Sequence, residues 1–335
     1  MKLAPSGRTL IVQPLPGIGD MIWHLPHLRA IAATTLDGRI DILTKPRSQA
    51  DRLLRAEPCV GRVLWLEREA GRHAGLRGLM RLAALLRRER YQRVWILHGS
   101  ARYALAARVA GIPERVGYGI GWQALLLSVP VRLPPDRRRA HPIRRADALL
   151  DQLGIPYDEP ELRLAVDTRA DRIVTERFAE WPEPWIALGI GSSEPWKQWG
   201  EARFAELALA LNQRRVGSIF IVGGPAERPL AEGIFARLRV GAVADAVALP
   251  LEQTVALLAR CRGYVGNDTG VLNVAAALHV PAVGLFGGSP PLWHSRFICH
   301  LLPPSGDHGM AAITVSQVLD TLNRLDWANA NRDAA

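Results

Sequence analysis

The sequence predicts an α/β protein made of two doubly wound domains, each with a parallel sheet covered by helices on both faces. Short β-rich runs alternate with helical runs along the chain, and its 335 residues correspond to about two domains at roughly 150 residues each. Charge also divides the chain: residues 1–168 contain 27 Lys+Arg against 16 Asp+Glu, whereas residues 169–335 contain 15 against 16. We therefore expect one domain over 1–168 and another over 169–335. The Pro- and acid-rich stretch 158–184 is the candidate linker, and its centre is compatible with a helix.

The first half alternates β-branched and aliphatic runs with runs of helical periodicity. In the expected helix Leu76–Arg90, Leu79, Leu82 and Leu86 share one face and arginines occupy the opposite face. This pattern predicts a surface helix. In chain order, the expected elements are strand Thr9–Gln13, helix Met21–Thr34, strand Ile40–Leu43, strand Val63–Leu66, helix Leu76–Arg90 and strand Val94–Leu97.

The second half repeats this alternation. The expected elements are strand Trp185–Ile190, helix Glu201–Arg214, strand Ser218–Val222, helix Ala226–Leu238, helix Leu251–Arg262, strand Tyr264–Gly266, helix Gly270–Leu278, strand Ala282–Phe286 and helix Val315–Leu325. Ligands of such parallel sheets bind beyond the carboxyl ends of the strands. The loops that follow the strands are therefore the candidate functional segments.

Composition excludes several classes of protein. With 48% hydrophobic and 22% charged residues, the chain is neither disordered nor fibrous. Its three cysteines form no C-x-x-C, so neither a disulfide framework nor a cysteine zinc site is indicated, and a reducing cytoplasm is expected. Residues 1–20 lack the apolar core of a signal peptide. The uncharged stretch Thr269–Ser295 is interrupted by glycines and prolines, which favours a helix and a buried strand over a membrane span.

The positive charge of the first half has two interpretations. Summed over a surface, it would attract an anionic polymer or a membrane, and the Arg-rich stretches 62–108 and 132–145 carry much of it. The alternative is solvated arginine on helix surfaces without a partner. Nucleic-acid binding is not indicated, because the sequence contains no RNP, KH or zinc-finger pattern.

The first candidate loop contains Gly17, Gly19 and Asp20, directly after the first expected strand. Two glycines allow a tight turn at a helix start. The loop is not a dinucleotide fingerprint, because Ile22 stands where the third glycine would be. A carboxylate here can accept a proton from a substrate hydroxyl, or it can simply cap the helix. Both interpretations of Asp20 stay open.

The second loop, Gly189–Trp199, combines small residues such as Ser192 with Lys197, one of three lysines in the chain. Backbone donors and one point charge can bind a diphosphate, whereas a surface lysine would be solvated. No Walker motif is present, because Trp196 occupies the position of its second glycine.

The third loop, Asn267–Gly270, joins a strand to a helix. The first-turn N–H groups and the Thr269 hydroxyl would favour a phosphate, and the alternative is an Asp268 cap with Gly270 easing the turn.

Together the three loops resemble glycosyltransferase family 9, the ADP-heptose:lipopolysaccharide heptosyltransferases. Gly19-Asp20 followed by His24–Ala30 is similar to the G-D-x-x-x-x-x-P-x-L-R-A signature of this family. Lys197–Ala205 is similar to K-x-W-P-x-x-x-F-A, and Asn267–Pro281 to D-[ST]-G-x-x-H-x-A-A-A-L-x-x-P. Phe286-Gly287 matches the F-G that follows. The resemblance covers nearly the whole chain.

The resemblance implies a GT-B fold, in which two Rossmann-like domains face a central cleft. The N-terminal domain would bind the acceptor and the C-terminal domain the nucleotide sugar. It further implies an inverting, metal-independent glycosyltransferase of bacterial lipopolysaccharide biosynthesis. Its donor would be a nucleotide-diphosphate sugar, ADP-heptose in the family, and its acceptor an anionic saccharide or a lipid-linked saccharide. We expect a cytoplasmic protein, at most peripheral to the inner face of the inner membrane.

The resemblance also assigns site residues. Asp20 would be the general base, with Gly17, Gly19 and His24 in the acceptor-side loop. The residues expected to bind the donor are Lys197, Asp268, Thr269, Gly270, Ser192, Glu227 and Asn273. Neither a metal ligand nor a cofactor is expected, and no D-x-D occurs in the chain.

Three positions depart from the family pattern. Asn273 replaces its His, Gly200 replaces the Pro of K-x-W-P, and Gly288–Pro291 replaces the usual P-T-D-P. All three lie in loops nearest the donor, so they bear on the sugar and the nucleotide. The alternatives are a nucleotide-sugar 2-epimerase with the same fold, or a non-catalytic protein that binds a nucleotide sugar or nucleic acid.

Overall fold

The computed structural model describes residues 3–67, 71–157, 161–238, 243–291 and 294–325. Contacts between Cα atoms divide the chain into two compact units, Met1–Pro160 and Glu161–Ala335. We call them unit 1 and unit 2 and describe each by itself.

Unit 1 alternates strands with helices, as its sequence predicts. Its elements are β1 (Thr9–Val12), α1 (Ile18–Trp23), α2 (Leu25–Ala32), β2 (Ile40–Thr44), α3 (Ala50–Leu53), β3 (Val60–Trp65), α4 (Gly75–Glu89), β4 (Arg93–Ile96), α5 (Ala101–Ala110), β5 (Glu114–Gly117), β6 (Val129–Pro130) and α6 (Pro142–Leu153).

The sheet of unit 1 is parallel. Its strand order over the described residues is β3-β2-β1-β4-β5-β6. Every residue of β1, β2 and β4 is buried, which explains why these strands are largely apolar instead of alternating with polar residues. The order reverses between β1 and β4, so the loop after β1 lies at the switch point where parallel sheets bind ligands.

The helix expected over Met21–Thr34 is two helices, α1 and α2, which meet at His24. Pro26 lies in the first turn of α2. A continuous helix would bring its ring against the carbonyl of Ile22 and would remove one hydrogen bond, so the chain starts a new helix. This break places His24 at the junction of the two helices, where its ring contacts the backbone of Asp20.

Unit 2 has the same design. Its elements are α7 (Thr168–Arg177), β7 (Trp185–Gly189), α8 (Glu201–Gln213), β8 (Ser218–Gly223), α9 (Arg228–Arg237), β9 (Val243–Val247), α10 (Leu251–Arg260), β10 (Cys261–Asn267), α11 (Gly270–Ala277), β11 (Ala282–Leu285), β12 (Ile298–Leu301) and α12 (Val315–Arg324).

The sheet of unit 2 is also parallel, with the order β12-β11-β10-β7-β8-β9 over the described residues. The direction of the strand order reverses between β7 and β10. The loops that follow these two neighbouring strands contain Lys197 and Asp268, so the sheet brings both to one edge. The fold class expected from the sequence is confirmed, since the chain forms two doubly wound parallel sheets.

The division between the units lies at 160/161, before the expected 168/169. Residues from 161 onward group with unit 2 because the Leu164 N–H donates to Ala277 O at 2.8 Å. The candidate linker also contains α7, whose Asp171 binds Arg260 of α10 at 2.7 Å, so this part of the linker is packed structure. Its first residues, 158–160, lie outside the described residues.

Within the described part of the chain, we find no helix that is long and apolar enough to cross a membrane. Thr269–Ser295 forms α11 and β11 where it is described, as its glycines and prolines predict.

Candidate active site

Asp20 is the third residue of α1, just beyond the carboxyl end of β1. Its Oδ2 accepts the Gly17 N–H at 2.8 Å. A Cβ atom on Gly17 would lie 2.8 Å from the same oxygen, so the glycine makes this contact feasible. Burial raises the pKa of Asp20 above its ordinary value, and the Gly17 hydrogen bond opposes the shift. The carboxylate therefore caps the helix and is also more basic than an exposed aspartate.

His24 is completely buried, and its ring contacts the backbone of Asp20. Its Nδ1 lies 2.7 Å from the Asp20 carbonyl oxygen, and Nε2 of Gln13 lies 3.3 Å from the same atom. Burial lowers the pKa of His24 to about 3, so the ring is neutral and its Nδ1–H donates to that carbonyl. His24, expected in the acceptor-side loop, contacts the turn that carries Asp20 through this hydrogen bond. Gly19, expected in the same loop, is buried.

Lys197 and Asp268 form an ion pair in unit 2. The Lys197 Nζ lies 2.6 Å from Asp268 Oδ2, and the Ser289 hydroxyl donates to the same oxygen at 2.6 Å. The lysine also lies 5.2 Å from the centroid of the Trp196 ring. The loops after β7, β10 and β11 thus meet at one carboxylate.

The N-terminus of α11 follows this carboxylate directly. Thr269 is its N-cap residue and Gly270 its first helical residue. Asp268 is therefore not the cap, and the cap interpretation of this residue is wrong. The first-turn N–H groups of α11 lack partners within the helix and can bind an anion.

Buried Asn267 connects the two loops that flank this site. Its Nδ2 donates to Gly191 O at 3.0 Å and to Gln198 Oε1 at 3.1 Å, and its Oδ1 accepts the Trp199 N–H at 3.2 Å. The sequence pattern did not assign this residue a role. The only indication in the sequence was a polar residue, Asn267, at the start of the third candidate loop.

Ser192 and Glu227 border the same loop. The Ser192 hydroxyl donates to Glu194 O at 2.6 Å and stabilises the turn. Glu227 Oε2 accepts the Gly224 N–H at 2.8 Å, and a Cβ on Gly191 would lie 3.9 Å from its carboxyl carbon. The structure therefore brings Ser192, Glu227 and Lys197 to one edge of the unit 2 sheet.

Trp196 and Trp199 differ in environment. Trp199 is buried, and its indole N–H donates to Ile313 O at 2.8 Å, so it is a core residue. Trp196 is exposed, and Gly288 lies beside its ring, where a Cβ would be 3.5 Å from Cζ3.

Asn273 lies on the fourth position of α11. Its Nδ2 donates to Thr269 O at 3.1 Å, and its Oδ1 lies 2.9 Å from Nε2 of His294. Sequence reasoning missed His294, because it belongs to no motif and lies 21 residues away in the chain.

Among the described residues, no group of three or more His, Cys, Asp or Glu side chains could hold a metal ion. The hydrogen-bond donors that the unit 2 site offers to a ligand are a lysine, hydroxyls and helix N–H groups. These groups suit a phosphorylated ligand.

Comparison with known proteins identifies a family and several relatives of this chain. The family described as glycosyltransferase family 9 (heptosyltransferase) matches residues 79–296. The chain is 30% identical to lipopolysaccharide heptosyltransferase 2 of Escherichia coli strain K12 over 276 residues, which are 73% of this chain and 78% of that protein. It is 31% identical to lipopolysaccharide heptosyltransferase 2 of Salmonella typhimurium strain LT2 over 242 residues, 66% of this chain and 68% of that protein. The solved structure of the E. coli ADP-heptose lps heptosyltransferase II superposes with a TM-score of 0.75 at 25% identity, covering 98% of this chain and 100% of that chain.

Proposed function

Because the chain belongs to glycosyltransferase family 9, the heptosyltransferase family, we propose that it transfers heptose from ADP-heptose to a lipopolysaccharide-core acceptor, with inversion and without a metal ion. The GT-B architecture and the glycosyltransferase class follow from the relatives. The donor, the stereochemistry and the residue roles are the proposal.

The observation that carries the proposal is the Asp20 carboxylate, buried enough to have a raised pKa and located at the switch point of the unit 1 sheet. In the proposed step Asp20 accepts the proton of an acceptor hydroxyl. The hydroxyl oxygen forms a bond to the anomeric carbon, and the bond from that carbon to the diphosphate breaks on the opposite face. Inversion follows, and the proton stays on Asp20.

The donor diphosphate is proposed to bind Lys197 and the N-terminus of α11, with Thr269 and Gly270 in the first turn. Lys197 forms an ion pair with Asp268. A diphosphate that binds Lys197 competes with Asp268 for it, which leaves the Asp268 and Ser289 side chains available to sugar hydroxyls. The lysine and the helix N–H groups would then stabilise the charge of the leaving ADP.

The acceptor is proposed to be an anionic or lipid-linked saccharide bound by unit 1. The argument is charge: residues 1–168 contain 27 Lys+Arg against 16 Asp+Glu. We propose that the enzyme works in the cytoplasm, where nucleotide sugars are available.

A nucleotide panel tests this function. Binding of ADP, UDP, GDP, CMP and their sugars is measured by calorimetry on the wild-type protein and on Lys197→Ala. We expect ADP and ADP-heptose to bind, and to bind more weakly to the variant. Preference for another nucleotide would contradict the ADP-heptose donor but not the glycosyltransferase class, whereas binding of no nucleotide would contradict the proposed function itself.

A further inference from the structure

We propose that unit 1 docks on the surface of an anionic phospholipid bilayer through an apolar face bordered by arginines. This docking face is formed by Leu76 and Met80 of α4 and by Trp122 and Leu125 of the 3₁₀ helix Gly121–Leu125. Their exposed fractions are 80%, 55%, 79% and 67%. One exposed apolar side chain is ordinary, but four large ones on two elements that both pack against α5 indicate a contact surface.

The helix α5 lies beside α4. Arg102, in the first turn of α5, donates to Gly75 O at 2.8 Å, where α4 begins. Arg87, in the last turn of α4, donates to Val109 O near the end of α5. Since Met80 precedes Arg87 by seven residues, the two lie on the same side of α4. Leu76 and Met80 therefore lie on the side of α4 that borders α5.

The 3₁₀ helix Gly121–Leu125 also lies beside α5. Gln123 Nε2 donates to His98 O at 2.6 Å, just before α5, and Arg108 of α5 donates to Leu125 O at 3.3 Å. The side chain of Leu105 on α5 is half-buried. The two apolar pairs thus belong to elements that pack against the same helix.

The charge of this region complements an anionic surface. Residues 71–128 contain ten arginines and only two acidic residues, Glu89 and Glu114. Glu89 is paired with Arg8 and Arg62, and Glu114 is paired with a buried arginine. The exposed arginines that remain in α4 are Arg77, Arg81, Arg87 and Arg88. Apolar anchors bordered by basic side chains are the combination that binds peripheral proteins to anionic lipid.

The position of the face relates it to the candidate base. Both α4 and α5 begin after strands of the unit 1 sheet, so Leu76 and Arg102 lie near its carboxyl edge, as Asp20 does. Trp122 is suited to the lipid interface, because its ring is apolar and its N–H can stay hydrated. A docked unit 1 would hold this edge close to lipid. The inference concerns binding alone and does not depend on the proposed chemistry.

Co-sedimentation with vesicles tests the docking face. The full-length protein is mixed at low salt with vesicles of phosphatidylcholine alone or of phosphatidylcholine with phosphatidylglycerol. We expect binding to the anionic vesicles only. The variant Leu76→Ser/Met80→Ser/Trp122→Ser should bind at least about tenfold more weakly, because it loses three apolar anchors. The matched control Leu36→Ser, at a side chain 75% exposed outside the face, should bind like the wild type.

A second pair of variants isolates the charge. Arg77→Gln/Arg81→Gln should weaken binding to anionic vesicles about tenfold or more. Arg169→Gln/Arg172→Gln, which changes two exposed arginines of α7, should not weaken it. Equal thermal unfolding of all variants establishes that the fold is kept.

Three results would overturn the proposal. The first is a wild-type protein that does not bind anionic vesicles at low salt. The second is a serine variant, or an Arg77→Gln/Arg81→Gln variant, that binds like the wild type. The third is a wild-type dimer that does not bind vesicles and that the serine variant converts to a monomer, because the face would then bind a second copy of the chain.

Discussion

The Nε2 atom of His294 lies 2.9 Å from Oδ1 of Asn273, so an imidazole contacts the first turns of α11 from a distant part of the chain. The family pattern has a histidine at the sequence position of Asn273. In this protein the asparagine donates to Thr269 O and accepts from His294. In this chain an imidazole therefore contacts α11 from the segment before β12, and not from the helix itself.

We predict that His294→Ala raises the KM for the nucleotide sugar about tenfold and lowers the free energy of unfolding by about 1 kcal/mol. The reason is that the variant removes the hydrogen bond from the imidazole to Oδ1 of Asn273. Returning the imidazole to the helix in Asn273→His/His294→Ala should recover part of the donor affinity. Steady-state kinetics and urea unfolding measure the two effects.

The control for this prediction is His308→Ala, at an exposed histidine, which should change neither quantity. If His294→Ala matches the control in both measurements, the contact with Asn273 has no role in donor binding or stability.

A second prediction concerns Asp20, for which activity and stability should change in opposite directions. Burial raises its pKa, so as pH increases the unfolded chain loses this proton before the folded chain does. Stability therefore decreases from the ordinary aspartate pKa up through the raised one, and the ionised carboxylate destabilises the fold at neutral pH. Asp20→Asn keeps an oxygen that can accept the Gly17 N–H. We expect it to lower kcat by about 10² or more and to raise the melting temperature at neutral pH.

The matched control for Asp20→Asn is Asp51→Asn, an exposed aspartate in the first turn of α3. It should affect neither kcat nor the melting temperature. Full activity of Asp20→Asn would exclude the role of general base, and the wild-type rate should fall on acidification at a pH above the ordinary aspartate pKa.

A third prediction follows from the buried ring of His24, whose pKa is lowered to about 3. Below the ordinary histidine pKa of about 6.5 the unfolded chain binds a proton that the folded chain does not. The contribution of His24 to the free energy of unfolding is therefore fully present above that pH. It decreases as the pH falls toward the pKa of the folded chain, by up to about 1.4 kcal/mol per pH unit. His24→Gln removes this titration while keeping a donor for the Asp20 carbonyl.

Urea unfolding at several pH values between neutral and moderately acidic checks this effect. The free energy of unfolding should depend less steeply on pH in His24→Gln than in the wild type or in the exposed-site control His308→Gln. Identical slopes in all three proteins would mean that His24 becomes protonated in the folded chain.

The sequence predicted most of this fold because buried parallel strands are continuous apolar runs and the longer helices are periodic. The pattern did not predict α5, whose alanine-rich sequence shows little contrast between faces, or β6, which has only two residues. It also did not predict the elements α3, α6, β5, β9 and β12. The sheet rule correctly placed the loops after β7 and β10 at one edge. It could not predict that Lys197 binds Asp268, 71 residues away, because that pairing depends on side-chain packing across two strands. His24 shows the same limit: its motif position indicated a place in the acceptor-side loop but not the burial of its ring against the Asp20 carbonyl.

The ion pair of Lys197 with Asp268 gives a fourth prediction. Lys197→Ala should weaken ADP binding by about tenfold or more, because it removes a charge-assisted hydrogen bond to phosphate. Asp268→Asn should not weaken ADP binding, because it releases the lysine from a competing carboxylate, but it should lower kcat with the nucleotide sugar. Calorimetry with ADP and initial rates measure the two effects separately. Lys197→Arg keeps the charge and should bind ADP better than Lys197→Ala. Equal loss of ADP affinity in Lys197→Ala and Asp268→Asn would show that the carboxylate orients the lysine for phosphate instead of competing for it.

The last prediction concerns Gly200, which replaces the proline of the family pattern. Its φ is +101°, a value that the proline ring cannot adopt, since it fixes φ near −65°. The chain therefore enters α8 by a backbone path that favours glycine and excludes proline, and restoring the family residue should destabilise this protein. We expect Gly200→Pro to destabilise it by about 3 kcal/mol or more, and Gly200→Ala by about 1–3 kcal/mol, because alanine is strained at this φ but is not excluded. Urea unfolding measures both values. A Gly200→Pro protein as stable as the wild type would mean that the loop between Lys197 and α8 follows a backbone path with negative φ at this position.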